Sequence, residues 1–98
     1  MNLRSFRRSL EGDDPPEDLS PAMNALWYGA RGDWERAHRI VQDESDPEAA
    51  WVHAWLHRVE GDLDNARYWY GQAGRDPRTE PTGEEWQEIV TTLVRRGE

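Results

Sequence analysis

His53 and His57 stand four residues apart and Glu60 follows three later. On a helix their side chains form one stripe. Two imidazoles and a carboxylate in a stripe are donors for a divalent metal, and His38 falls next to the apolar face of the preceding helical segment, from which it can join them. His53, His57, Glu60 and His38 are therefore the candidate metal ligands. The competing reading is that each imidazole is a buried group holding a backbone carbonyl or a carboxylate in place. The order His53-Ala54-Trp55-Leu56-His57 lacks the glutamate that serves as base beside a zinc, which argues against a peptidase. No nucleophile and base stand at a recognisable spacing, and no glycine-rich phosphate loop precedes a helix. The chain reads first as a non-catalytic interaction or self-association module without an organic cofactor. A His/carboxylate metal-binding protein or small metal-dependent enzyme is the alternative.

Other residues offer contacts rather than chemistry. Trp51 and Trp55, also four apart, share a face with Val52, Leu56 and Val59. They either pack beneath a neighbouring helix or stand as an aromatic platform for a peptide. Arg58 can neutralise a ligand carboxylate or pair with a nearby acid. Tyr68-Trp69-Tyr70 places rings all round one helical turn, so Tyr68 is expected to project from its own hairpin as an interface anchor. Trp51, Trp55, Arg58 and Tyr68 are the candidate partner-binding residues. The expected partner is a protein or peptide segment, or a second copy of the chain.

These side chains need helices to position them, and local punctuation supplies the helices. Ser20-Pro21 gives an N-cap followed by proline at the first helical position, and Met23, Leu26, Trp27 and Ala30 recur at helical spacing, which predicts a helix over 21–31. Gly32-Asp33 turns the chain and caps a second helix over about 34–42, with Trp34, Ala37, Ile40 and Val41 on its apolar face. Asp46-Pro47 starts a third helix over 47–60, Gly61-Asp62 repeats the turn, and a fourth helix over 63–73 is closed by Asp76-Pro77. The Gly-Asp turns are 29 residues apart and the Asp-Pro pairs 30 apart, an internal duplication. Thr82-Gly83-Glu84-Glu85 reads as a capping box for a fifth helix marked by Trp86, Ile89, Val90, Leu93 and Val94. The expected fold is all-α: two antiparallel helical hairpins and a C-terminal capping helix, one domain over 20–98. Residues 1–19 combine a basic head, Arg4, Arg7 and Arg8, with an acidic, proline-bearing run from Glu11 to Asp18, and are expected to form a flexible arm.

Composition narrows the function classes. Ninety-eight residues build one core, and with 36% apolar and 33% charged residues that core must rest on six tryptophans and three tyrosines. A net charge of −8 disfavours nucleic acid, whose phosphates need a basic surface. No stretch approaches the roughly 20 apolar residues of a membrane helix, and the first residues lack the apolar run of a secretory signal, so a cytoplasmic protein is expected. Without cysteine there is no disulfide and no thiolate metal site, which leaves His and carboxylates as the available metal donors.

Tyr28, Gly32-Asp33-Trp34, Ala37 and Pro47 in the first unit, and Ala54, Gly61-Asp62, Ala66, Tyr70, Ala73 and Pro77 in the second, resemble the tetratricopeptide repeat over about residues 21–77. The units are shorter than the family's usual 34 residues, and His53 stands where an interior leucine is usual. The resemblance implies stacked hairpins with small residues at the close contacts, and a concave aromatic face that binds peptides. The stretch from Trp51 to Tyr70 is also similar to a group of short bacterial proteins, a likeness that brings no activity with it.

Overall fold

Proline at the first helical position opens two of the helices, and a glycine in the left-handed region follows the end of four of them. The computed structural model describes residues 1–97, and among these the chain is all-α, with no strand. The helices are α1 (Leu3–Ser9), α2 (Pro21–Ala30), α3 (Trp34–Val41), α4 (Pro47–Glu60), α5 (Leu63–Ala73) and α6 (Thr82–Arg95). None is long and apolar enough to cross a membrane.

The recurring Gly-Asp pair has a mechanical explanation. After α4, Gly61 adopts φ 88°, its N–H reaches Arg58 O, and the Asp62 N–H reaches His57 O 2.9 Å away, which satisfies carbonyls the helix leaves free. Asp62 then accepts from Asn65 N, capping α5. Gly32-Asp33 makes the same pair of bonds, to Gly29 O and Tyr28 O, and Asp33 accepts from Arg36 N. One dipeptide ends a helix and starts the next, so α2 with α3 and α4 with α5 form tight hairpins. Ser20 and Asp46 cap α2 and α4 by the same side-chain mechanism.

The core lies between the hairpins and under α6, and tryptophan indoles stitch its elements together. Trp34 Nε1 donates to Leu56 O, linking α3 to α4; Trp55 Nε1 donates to Thr82 O, linking α4 to α6; Trp86 Nε1 donates to Leu26 O, linking α6 to α2. The Trp55 and Trp86 indoles are buried and the Trp34 indole packs partly buried against the core, each with its one donor satisfied. Gly29 of α2 faces Trp55 so closely that a Cβ there would sit 2.6 Å from the ring.

Two expectations are corrected. The capping box at Thr82 and Glu85 does not form: Pro81 is the cap residue of α6, no side chain closes the cap, and Glu85 turns into the core instead. Residues 1–19 are not simply an arm, because 3–9 form α1, whose own capping box joins Asn2 and Ser5. Phe6 of α1 is fully buried and stacks on Trp86 at 5.9 Å, and Trp27 Nε1 donates to Ser9 Oγ. Arg31 fixes the following turn by donating to Leu10 O and Gly12 O. Apolar burial of one ring outweighs the charge around it.

Candidate metal centre

His38 lies on α3 and His53 and His57 on successive turns of α4, so the centre sits at the junction of the two hairpins. The fold brings all three together: one ring nitrogen from each lies within 4.8 Å of the other two. His38 Nε2 and His53 Nε2 are 3.0 Å apart. Two nitrogens on one tetrahedral zinc, with bonds of about 2.0 Å, lie roughly 3.3 Å apart, so a small rotation of the rings completes a three-nitrogen set. Without a metal, the same 3.0 Å contact is a hydrogen bond in which one imidazole donates and the other accepts.

The walls are aromatic. Trp34 stacks on His38 with ring centroids 4.8 Å apart, and Trp69 stacks on His53 at 3.8 Å. Burial of His53 among these rings pushes its pKa down to about 3, and the nearby His38 and His57 push the same way. His38 is lowered by burial and by His57, against an opposing pull from Glu60. Neutral imidazole is the form that binds metal, so the site keeps these two rings ready at neutral pH. His53 Nδ1 is buried without a hydrogen-bond partner. Leaving one such group unsatisfied costs about 1–3 kcal/mol, whereas zinc binding at structural sites releases about 10–16 kcal/mol, so the orphan does not disqualify the site.

Glu60 does not join the three histidines. Its Oε1 lies 2.6 Å from His57 Nδ1, and one ligand atom from each of His57, Glu60 and Asp62 lies within 4.8 Å of the others, so these three make a second group.

No protein-family model matches the chain, and no solved structure matches it. The chain is similar to the adenosylcobalamin/alpha-ribazole phosphatase of Salmonella typhimurium (strain LT2), at 33% identity over 55 residues, 54% of this chain and 26% of the phosphatase. It thus spans about a quarter of that protein's length.

Of the four residues expected to face a partner, two are buried in the core and a third is partly buried in an ion pair. Trp51 and Trp55 are buried under α6, so of the two alternatives for this face it is the packing beneath a neighbouring helix that the structure shows. Arg58 pairs with Glu85 Oε1 at 2.5 Å and also donates to Glu80 O. Tyr68 alone projects, 57% exposed, edge-on to Trp69. Sequence reasoning missed the walls and the buried acid. Trp34 precedes His38 by four residues, the spacing at which helix side chains meet, and Glu85 precedes Ile89 and Leu93 by one and two such steps, on the buried face of α6.

Proposed function

We propose that this chain is a metal-binding protein in which His38, His53 and His57 hold a divalent transition metal across the junction of its two hairpins. The convergence of three ring nitrogens from two helices carries this reading. Imidazole donors suit zinc, copper and nickel ions, and the carboxylate- and water-preferring magnesium and calcium are poor candidates for such a set. The metal would act as a staple, because its ligands come from α3 on one side and α4 on the other. Three protein donors leave the fourth position of a tetrahedral ion to another ligand. Nothing in the reading requires catalysis, and the phosphatase's reaction stays with a protein of which this chain spans about a quarter.

The test is elemental mass spectrometry on tag-free protein, beside a variant carrying His53→Ala and His57→Ala. The expected result is near one metal per chain, absent from a variant that keeps its helical circular dichroism. No metal in the parent after equilibration with zinc, copper and nickel salts would leave the histidines as packing residues.

The interaction-module reading keeps one supporting observation, the exposed Tyr68 ring on α5. Sedimentation of the parent and Tyr68→Ala at several concentrations decides it: a self-associating parent and a monomeric variant are required.

A further inference from the structure

A neutral imidazole offers one lone pair, and the nitrogen that carries it is fixed by what the other nitrogen touches. His57 Nδ1 lies 2.6 Å from Glu60 Oε1. An ionised carboxylate accepts hydrogen bonds and donates none, so at that distance Nδ1 carries the proton and Nε2 the lone pair. Nε2 is then the nitrogen left for the set shared with His38 and His53. Among the described residues His57 alone of the three pairs with a carboxylate, and His53 Nδ1 has no partner at all.

The pair is also held by local structure. Glu60 is the last residue of α4, three after His57, where helix side chains are neighbours. Asp62 stands behind it, fixed as the cap of α5 by the Asn65 N–H and side-chain amide. One carboxylate thus contacts the His57 ring and a second stands within the same group, while among the described residues neither His38 nor His53 pairs with a carboxylate.

We infer that Glu60 is a positioning residue of the metal centre: it holds His57 in the Nδ1–H tautomer, turns Nε2 inward and does not touch the metal. Asp62 adds negative charge beside the same ring. This rests on the metal-binding reading above. A carboxylate behind a ligating histidine raises the basicity of the nitrogen that binds, and losing such a partner lowers metal affinity by about 10- to 100-fold. Because the metal's ligands are unchanged, the coordination itself should stay as it was.

The experiment uses cobalt(II) and zinc on the full chain, with Glu60→Gln and Glu60→Ala. Zinc affinity is read by competition with a chromophoric chelator, and the ligand set by the visible spectrum of the cobalt form. Glu60→Ala is expected to weaken zinc binding by about 10- to 100-fold with the band positions of the cobalt spectrum retained. Glu60→Gln keeps an acceptor without the charge and is expected to fall between the two. A changed spectrum overturns the inference by making Glu60 a ligand, and unchanged affinity overturns it by making the contact incidental. A parent chain that binds neither ion removes the metal-binding reading itself, a result distinct from both.

Discussion

Glu85 has no exposed surface, yet its two oxygens accept from Trp51 Nε1 at 3.0 Å, from the Tyr70 hydroxyl at 2.6 and 2.7 Å and from Arg58 at 2.5 Å. A buried carboxylate survives when its lone pairs and its charge are both answered, and here three donors on α4 and α5 answer them from one side of α6. Removing only the charge exposes the imbalance: Glu85→Gln leaves the Arg58 guanidinium, itself only 10% exposed, without a counter-ion. We expect a loss of about 3–5 kcal/mol in urea unfolding, partly recovered when Arg58→Met is added. A Glu85→Gln variant within about 0.5 kcal/mol of the parent would mean that the network does not hold the helix down. The histidine stripe was legible because i, i+4 spacing is enforced by any helix. The partners of Glu85 were not, since Trp51 is 34 residues away in sequence and only tertiary packing brings them together.

Helix limits were the most readable feature, because each is written in residues that act locally. Ser20-Pro21, Asp46-Pro47 and the two Gly-Asp pairs fix starts and stops through bonds within one turn, and α2 to α5 fall within a residue of their expected ends. Thr82 misled for the opposite reason: the box that would have used Glu85 lost to a buried site offering three donors rather than one. Contacts between elements resist such reading, and Gly29 is an example. Alanine there gains up to about 1 kcal/mol of helix propensity but drives a methyl into the Trp55 ring and against Leu56, an overpacking that costs about 1–3 kcal/mol. We therefore expect Gly29→Ala to melt earlier than the parent with altered near-ultraviolet dichroism, and a raised melting temperature would contradict this packing. The Arg78 hydrogen bond to Glu88 joins the 74–81 segment to α6 and holds the Glu88 carboxyl below its ordinary value of 4.5. A depressed carboxyl stabilises the fold fully above its unfolded pKa and ceases to as pH falls through the folded value. The stability lost on acidification below pH 4.5 should thus be smaller in Arg78→Met than in the parent, and equal pH slopes would show that the pair contributes nothing to it.

Taken as one body, the molecule is small enough that each element must close a face for the others, and α1 shows how this works. The basic head and acidic loop made residues 1–19 read as an arm, although Leu3, Phe6 and Leu10 already stood at three- and four-residue spacing. Composition outvoted periodicity there, and one ring decides the outcome: Phe6 sits wholly inside against Trp86, with Leu3 and Leu10 packed around the same core. Trp86 in turn is tied to Leu26 of α2, and Trp27 of α2 reaches back to Ser9 of α1, so α1, α6 and α2 form a closed loop of contacts. Truncating the ring should therefore weaken the whole rather than release one end. We expect Phe6→Ala to cost about 3–5 kcal/mol, with fluorescence and circular dichroism still reporting one coincident transition. If α1 were an appended arm, the same change would leave the main transition where it was, because a contact outside the cooperative unit does not enter its free energy.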